Sequence, residues 1–574
     1  MRNIVESRWF ALADLACVVI AGDWWVWFPQ AGAWPLAVAL IPWGIRLAAG
    51  KFPVRRTAFD LPVVIFLLTA GIGVWAAYDR TAAWNKFWLI VAAVLLYYAL
   101  ATQQHRDLRM VVGFISICGA ALAVFYIFSP SAIEPDTVAG ILAVIFPFTV
   151  AWGLNQWGKH KMHQVTGAFV TGGLMTLAVV VSRERGVWLG LGLLAVLLPL
   201  AVRFRAVAYS RQRVIIAFGI ALSCLLIGTV FAVLPATHGT IEKYLYKFSP
   251  RLEGITNTTY LAVEFPFIGG GLKAYAGLYS RYILSIPYLF QQHSHNIFLD
   301  VAVEQGWIGL AALIWILAGS GWLLLKGWAK EEEHPGQRAL QAAAVCSLFL
   351  LVLHNLTEDA LYSAQGVICL FVLPGLSFAV TRKDPELPYS LDSETGSVRN
   401  LWWAVIAGSG AVLIVVVYFW HFLTAAFYAN LGVVEMARVH LAGWPTKLVD
   451  GERLLTVIGP AESSFQKALQ YNPKQVTALY RLGMIAVERR EFGQALQFLS
   501  RAYGANPNHH GIRKMLGYSY LWLGNIDKAA VYLKPDSEIL TELDSYTYWW
   551  VTQNRADLSS LAQQLATRLR ETRK

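Results

Sequence analysis

The feature that most constrains the fold is the recurrence of long apolar stretches between about residue 9 and about residue 422. Each is long enough for a helix to cross a bilayer. The chain is 56% hydrophobic and only 14% charged, which is typical of a polytopic membrane protein and excludes an ordinary soluble enzyme. We therefore predict an all-α protein with a transmembrane helix bundle of about 12–13 spans at residues 1–422. A more polar helical domain follows at 423–574.

Lysines and arginines between the apolar stretches predict the orientation. Short loops rich in these residues alternate with loops poor in them, a positive-inside pattern that places the N-terminus in the cytoplasm. This basic excess indicates topology and not a nucleic-acid surface. The predicted spans are 9–28, 34–50, 59–77, 85–101, 109–128, 137–157, 164–181, 187–202, 213–234, 296–325, 339–356, 362–380 and 400–422. Thirteen spans put the C-terminal domain outside the cytoplasm, whereas it lies inside if 400–422 does not cross.

One long hydrophilic loop, 236–295, interrupts the spans on the predicted outer side. Loops of this length are usually functional or disordered. Aromatic and aliphatic residues recur along it, Tyr260 and Phe265 among them, and they favour an ordered loop. It ends with two histidines directly before a new apolar helix.

Those two histidines are the first candidates for chemistry. On an extended chain His293 and His295 point to the same side, and a neutral histidine accepts a proton near physiological pH. Their spacing also suits a metal ion, but all five cysteines fall inside predicted spans and no further ligand set accompanies them. We therefore predict no metal site. Glu304 lies about two and a half turns into the next helix, where it either orients the site or packs between helices.

Arginines on the same predicted side are candidates for binding phosphate. Arg183 and Arg185 flank Glu184 in a tight turn between two spans, and Arg251 precedes a glycine triplet at 269–271. A planar guanidinium suits phosphate oxygens. Alternatively, Glu184 neutralises one arginine and the other extends to lipid headgroups. The glycine triplet permits backbone conformations closed to other residues and a close approach to a ligand.

The C-terminal domain carries an internal repeat with an offset of about 34 residues. The matching pairs are Asn472-Pro473 with Asn506-Pro507, Leu482-Gly483 with Leu516-Gly517, and Ala495 with Ala529. This period predicts two tetratricopeptide units, with flanking helices at about 424–470 and 537–570 that cap the stack. Such concave helical stacks usually bind polypeptide, so we expect the domain to engage a protein partner or a bulky acceptor.

As a set, these elements resemble the O-antigen ligase and polymerase superfamily of bacterial envelope glycosyltransferases. The resemblance covers roughly residues 130–380. It rests on Asp136-Thr137-Val138-Ala139-Gly140, Arg185-Gly186-Val187-Trp188-Leu189-Gly190, Arg251 ahead of Pro266-Phe267-Ile268-Gly269-Gly270-Gly271, and His295-Asn296-Ile297-Phe298-Leu299 with Glu304-Gln305-Gly306. Arg185 matches the family arginine because Gly186 and Trp188 follow it, with Arg183 as a competitor.

The resemblance implies transfer of a glycan from undecaprenyl pyrophosphate to a hydroxyl acceptor on the outer face of the bacterial inner membrane. The acceptor is lipid A-core, a surface polymer or a protein; a polymerase would instead use a second lipid-linked glycan. Arg185 and Arg251, supported by Arg183, would stabilise the pyrophosphate leaving group. His295 would deprotonate or orient the acceptor, with His293 as the alternative. The family implies no divalent cation, so we expect neither a metal nor a cofactor.

Two further interpretations stay open. The polar cluster at 354–359 either lines the same cavity as the histidines or caps a helix and faces solvent, and the sequence favours the second. A transporter of lipid-linked glycan is less favoured, because transporters typically show two halves of matching hydropathy and this chain does not.

Overall fold

The computed structural model describes residue 5 and residues 7–157, 160–184, 186–188, 190–191, 254–283, 291–328, 335–362, 365–382, 417–446, 456–535 and 538–572. No β-strand occurs within these ranges, which confirms the all-α prediction. The helices, in chain order, are α1 (Arg8–Trp27), α2 (Pro35–Ala39), α3 (Ile41–Ala48), α4 (Asp60–Ala76), α5 (Arg80–Ala101), α6 (His105–Phe128), α7 (Pro135–Trp157), α8 (Met162–Ser182), α9 (254–264), α10 (Tyr275–Tyr282), α11 (Ile297–Trp328), α12 (Pro335–Asn355), α13 (Val372–Thr381), α14 (Trp420–His440), α15 (Gly459–Tyr471), α16 (Val476–Glu488), α17 (Phe492–Ala505), α18 (His510–Trp522), α19 (Ile526–Leu533), α20 (Ile539–Thr552) and α21 (Ala556–Thr572).

Seven of these helices are long and apolar enough to cross a membrane, namely α1, α5, α6, α7, α8, α11 and α12. Helix α4 and the segment Gly366–Thr381 are apolar but shorter. The chain is therefore a multi-pass membrane protein, as predicted. Most of the predicted spans 187–202, 213–234 and 400–422 lies outside the described residues.

The predicted span 34–50 differs from expectation, because it consists of the two short helices α2 and α3. Each has a proline in its first turn, Pro35 in one and Pro42 in the other. Proline lacks an amide hydrogen and fits the start of a helix far better than its interior. One continuous helix through Pro42 is therefore disfavoured.

Side-chain caps begin helices α5 and α11. Asp79 accepts a hydrogen bond from the Ala82 amide at the start of α5, at 3.0 Å. Asn296 accepts from the Phe298 and Leu299 amides at the start of α11, at 3.0 and 3.1 Å. Such caps satisfy amides that have no partner inside the helix. They define the points where α5 and α11 begin.

The membrane helices pack around a shared apolar core, with α4 against α11, α1 against α5, and α7 against both α8 and α12. The N-terminal ends of α5, α7 and α11 meet the C-terminal end of α12. We call this the histidine end of the bundle, because His293 and His295 immediately precede α11.

The C-terminal helices pack mainly in consecutive pairs, α14 with α15, α16 with α17, α18 with α19, and α20 with α21. Helices α16 and α18 begin at residues 476 and 510, and α17 and α19 begin at 492 and 526. Both helices of the predicted unit thus recur at about 34 residues. Helix α14 begins at Trp420, so it crosses the predicted boundary between 422 and 423.

The C-terminal domain contacts the histidine end directly. Asn430 accepts hydrogen bonds from the Phe267 and Ile268 amides at 3.1 and 2.8 Å. A buried ion pair joins Glu264 of α9 to Arg481 of α16. These contacts place the C-terminal domain on the same side of the bundle as the histidine segment.

Candidate functional site

The two histidines lie beside two consecutive carboxylates that follow α12. His295 Nδ1 is 2.6 Å from Glu358 Oε2, and His293 Nδ1 is 3.0 Å from Asp359 Oδ1. Only the first contact has hydrogen-bond alignment, since the Nδ1 and Oδ1 atoms of the second pair have no hydrogen-bond partner among the described residues. The two imidazole rings meet edge to face with their centroids 4.3 Å apart. The two rings lie together beside these carboxylates, although His295 does not have the extended backbone that the prediction assumed.

Burial shifts the protonation of the second pair. It lowers the pKa of His293, and the neighbouring His295 lowers that pKa further. Burial also raises the pKa of Asp359 to about 7, although Lys86 acts in the opposite direction. A neutral imidazole therefore lies beside a carboxyl group that titrates near neutral pH, which suits general acid–base chemistry.

A cavity of about 340 Å³ opens at the histidine end. Its charged and histidine wall residues come from five parts of the chain, and they are Lys86, Glu134, Lys273, His293, Asp300, Glu304 and Asp359. Tyr275, Tyr362 and Gln365 complete much of the remaining wall. His293 lines this cavity, whereas His295 is not among its lining residues. Of the two histidines, His293, the alternative base predicted from the sequence, therefore lies closer to the space available for a substrate.

Glu304 belongs to the cavity wall and forms a buried ion pair. Its Oε2 atom is 2.6 Å from Lys86 Nζ, and the same ammonium lies 3.5 Å from the centroid of the Tyr362 ring. The sequence left two roles open for Glu304, which were to orient the site or to pack between helices. The geometry supports a place at the site. The pair links α5 to α11 and keeps a buried charge compensated.

His295 has an unusual backbone conformation, with φ of 59°. This left-handed conformation is uncommon for residues other than glycine. Next to it, the Ser294 amide donates to Asp300 Oδ1 at 3.0 Å, and Asn296 caps α11. These bonds hold the histidine segment against the first turn of α11, and such local strain is often found at functional sites.

The glycine triplet approaches protein backbone. Gly269 and Gly271 have φ of 75° and 107°, so the predicted need for glycine conformations is confirmed. A Cβ atom on Gly269 would lie 2.3 Å from the Glu304 carbonyl oxygen, and one on Gly271 would lie 2.4 Å from Ala77 Cα. The triplet therefore packs the loop against α4 and α11, which differs from the close approach to a ligand that we expected.

Of the three candidate arginines, the structure describes only Arg183. Arg183 ends α8 in a left-handed conformation, is exposed, and is not among the residues that line the cavity. Arg185 and Arg251 lie outside the described residues. Gly186, next to Arg185, packs against the 354–359 segment, because a Cβ atom there would lie 2.9 Å from Thr357 Oγ1 and 3.1 Å from His354 Nδ1.

The favoured interpretation of the 354–359 segment is wrong. Glu358 and Asp359 are buried and contact the histidines, and Asp359 lines the cavity. His354 is buried too, with its Nε2 atom 3.3 Å from the Asp136 carbonyl oxygen. The segment follows α12 at the histidine end, where Asp359 forms part of the cavity wall while Leu356 and Thr357 are exposed.

Two sets of side chains in the described part of the chain bring possible metal ligands within 4.8 Å of one another. They are His293, His295 and Glu358, and Glu134, Asp136 and His293. Carboxylate and imidazole ligands suit several divalent cations. The expectation of a metal-independent site stays a prediction, for which the structure supplies the residues to test.

Comparison with protein families gives a match for residues 170–314, to the family described as O-antigen ligase. Residues 170–314 are thus similar to an O-antigen ligase domain. The match covers about a quarter of the chain and includes His293, His295, Asp300 and Glu304. No significant match was found among curated proteins.

The O-antigen ligase match indicates a glycosyltransferase-like membrane enzyme. Its type of reaction is that of O-antigen ligases or polymerases. Lys86, Glu358 and Asp359 lie outside the matched residues, yet they contact the histidines and Glu304 inside it. Sequence reasoning missed Lys86 altogether. The available signal was a lysine in the first turns of an apolar span, since a charge at that depth normally has a partner.

Proposed function

We propose that this protein transfers a glycan from undecaprenyl pyrophosphate to a hydroxyl acceptor on the outer face of the bacterial inner membrane. The observation that carries the proposal is a cavity at the ends of membrane helices, with two histidines beside two carboxylates. Those histidines fall inside the O-antigen ligase match. The acceptor is a glycolipid such as lipid A-core, a surface polymer or a protein.

The reaction moves one proton and exchanges one bond. The acceptor oxygen attacks the anomeric carbon of the donor glycan and the new glycosidic bond forms. The bond between that carbon and the pyrophosphate oxygen breaks, and undecaprenyl pyrophosphate leaves. The acceptor proton passes to a histidine.

His295 is the proposed base. Glu358 contacts its Nδ1 atom at 2.6 Å, which favours the tautomer with the proton on Nδ1 and leaves Nε2 as the basic nitrogen. A carboxylate that holds an imidazole in one tautomer is a common device in catalysis. His293 is the alternative, because it lines the cavity and burial keeps it neutral.

Arg185 and Arg251, with Arg183 in support, are the proposed stabilisers of the leaving group. Negative charge develops on the pyrophosphate as the anomeric bond breaks, and fixed guanidinium groups stabilise such charge without a metal. Gly186, beside Arg185, packs against the 354–359 segment that also contains Glu358 and Asp359, which supports a place near the cavity.

We infer that residues 423–574 form a tetratricopeptide-like domain on the outer side, capable of engaging a protein partner. Two observations support this: the helix pairs recur at about 34 residues, and the domain docks on the histidine end. Impermeant thiol labelling of a single cysteine at exposed Tyr548, in intact and in opened membrane vesicles, tests the orientation. Labelling only from the cytoplasmic side would contradict the inference.

The central experiment incubates purified enzyme with lipid-linked donor and candidate acceptors, with and without a chelator, and measures product mass. We expect glycan transfer that persists with the chelator. His295→Ala should lower the turnover rate by about 10²–10⁴-fold, with donor binding kept. A larger loss in His293→Ala than in His295→Ala would make His293 the base. Movement of donor between leaflets without any change in acceptor mass would overturn the proposal, and extension of a lipid-linked glycan would indicate a polymerase.

A further inference from the structure

Residues 254–283 lie between the cavity and the C-terminal domain, and we call them the docked segment. The segment consists of α9, the loop with the glycine triplet, and α10. Its Lys273 and Tyr275 line the cavity. Its Glu264 and Arg281 form ion pairs with the C-terminal domain. One short stretch of chain therefore contributes both to the cavity wall and to the domain interface.

The C-terminal domain holds the last turn of α10 with polar side chains from two of its helices. Arg281 Nη2 donates to Glu488 Oε1 of α16 at 2.6 Å, and Arg281 Nε donates to His440 Nδ1 of α14 at 3.3 Å. The Tyr282 hydroxyl oxygen lies 3.4 Å from the same His440 nitrogen. The side chains of Arg281 and Glu488 are 34% and 21% exposed, so water screens their attraction only in part. These contacts determine where the far end of α10 lies.

The near end of α10 determines the position of Lys273, because only Ala274 separates this lysine from the helix. A helix of eight residues is about 12 Å long and is stiffened by its own hydrogen bonds, so its two ends move together. Lys273 has φ of 59°, a left-handed conformation that is uncommon for residues other than glycine. On its other side, the Leu272 amide donates to the Gly73 carbonyl oxygen of α4 at 3.0 Å. Lys273 is thus held between the membrane bundle and a helix that the C-terminal domain secures.

Lys273 is suited to contact an anionic ligand in the cavity. Two lysines line the cavity within the described part of the chain. Lys86 is already paired with Glu304 at 2.6 Å, which leaves Lys273 as the ammonium group for a ligand. An ammonium group binds phosphate oxygens through its charge and its three hydrogen-bond donors. The donor of the proposed reaction carries a pyrophosphate.

We propose that the C-terminal domain positions Lys273 for the pyrophosphate of the donor, with Arg281 and Glu488 as the positioning residues. This inference rests on the proposed function. Glu488 and His440 lie outside residues 170–314, so the positioning contact comes from beyond the O-antigen ligase match. The C-terminal domain is then a working part of the donor site, and its undocking lowers donor affinity.

The test measures the Kd of undecaprenyl pyrophosphate for the purified full-length protein in lipid nanodiscs. This probe is the part that all such donors share, so the sugar need not be known. We expect the Kd to rise about three- to tenfold in Arg281→Met and in Glu488→Gln, since each variant removes one charge of the pair. Arg281→Lys retains the positive charge and should keep most of the affinity.

The chain offers a closely matched control in the residue next to Glu488. Arg489 pairs with Glu462 inside the C-terminal domain, and their side chains are 27% and 25% exposed. Arg489→Met therefore removes a comparable ion pair from the same helix without touching the docked segment. We expect an unchanged Kd in this variant.

A double-variant comparison tests whether Arg281 acts through Lys273. Lys273→Met should raise the Kd by itself. Adding Arg281→Met to Lys273→Met should then change the Kd little, because the group that Arg281 positions is already absent. Independent effects that multiply in the double variant would contradict the positioning role.

The remaining outcomes separate this inference from the proposed function. An unchanged Kd in both Arg281→Met and Glu488→Gln, with melting temperatures that show folded protein, overturns the inference while the transfer function stands. An equal rise in Arg489→Met would indicate a general loss of stability and also overturns it. If the unaltered protein does not bind undecaprenyl pyrophosphate, the donor in the proposed function is itself wrong.

Discussion

Removal of one buried guanidinium should undock the C-terminal domain from the membrane bundle. Arg481 is 1% exposed and forms an ion pair with Glu264, which is 5% exposed. The guanidinium also lies 3.8 Å from the centroid of the Tyr282 ring. In Arg481→Met, the variant side chain retains much of the packing volume but leaves the Glu264 carboxylate buried without its cation.

The magnitude follows from that uncompensated charge. Breaking a buried ion pair by removing one partner costs about 3–5 kcal/mol, because the remaining charge has lost its solvation. Replacing both partners by apolar residues of similar size is often close to neutral. We therefore expect Glu264→Met combined with Arg481→Met to recover much of the stability that Arg481→Met loses.

Hydrogen exchange of the backbone amides in α9 and α16 measures this local stability. A loss of about 3 kcal/mol corresponds to exchange about a hundredfold faster. Arg489→Met is the matched control. Arg489 pairs with Glu462, and their side chains are 27% and 25% exposed. A surface pair of this kind contributes at most about 1 kcal/mol.

The pH dependence has a definite sign. Burial raises the pKa of Glu264, and without Arg481 the opposing influence is gone. A raised carboxyl pKa in the folded state gives stability that is present at low pH and lost as pH rises through that pKa. Arg481→Met should therefore be less destabilised at pH 5 than at pH 8. The reasoning is refuted if exchange in Arg481→Met matches that in Arg489→Met, or if the double variant is no more stable than the single one.

Three further predictions concern other contacts. Lys86→Met leaves Glu304 buried without its cation, so we expect about 3–5 kcal/mol lower stability and slower transfer, with Lys86→Arg as the charge-retaining control in melting and rate assays. Asn430→Ala leaves two amides of the 267–268 turn without their acceptor, and a loss of about 1–3 kcal/mol should appear as faster exchange there; unchanged exchange would contradict it. Burial lowers the pKa of His509 to about 4, and its neutral Nδ1 accepts the hydrogen bond that caps α18. Because this folded-state pKa lies below the ordinary value of about 6.5, stability should fall as pH drops from about 6.5 toward 4, and His509→Asn should show a smaller decrease in melting temperature.

Local signals in the sequence predicted much of the candidate site. The pair His293 and His295 stands next to a polar cap and an apolar helix, so its position at a membrane border follows from neighbouring residues alone. Glu304 lies on that same helix. Glu358 and Asp359 also stood out as a polar cluster, but the choice between a solvent-facing cap and a cavity wall depends on what packs against them.

The remaining site depends on residues distant in the chain. Lys86 and Glu304 are 218 positions apart, and His295 and Glu358 are 63 apart. No periodicity or motif encodes such a pairing, because it depends on which helices become neighbours when all of them pack. The failed expectation at 34–50 has a local cause instead, since Pro42 outweighs a hydropathy that suits one helix.

By itself, the sequence determines the all-α class, the multi-pass character and the O-antigen ligase resemblance. Helices in a bilayer must satisfy their own backbone hydrogen bonds and present apolar side chains to lipid, so composition and length along each stretch are enough to recognise them. Only the tertiary structure decided that Lys86 neutralises Glu304, that Glu358 and Asp359 join the histidines, and that the C-terminal domain docks on the histidine end. Each of these joins residues that are distant in the chain. The charges of Lys86 and Glu304 are shielded from water only because separate helices exclude solvent together.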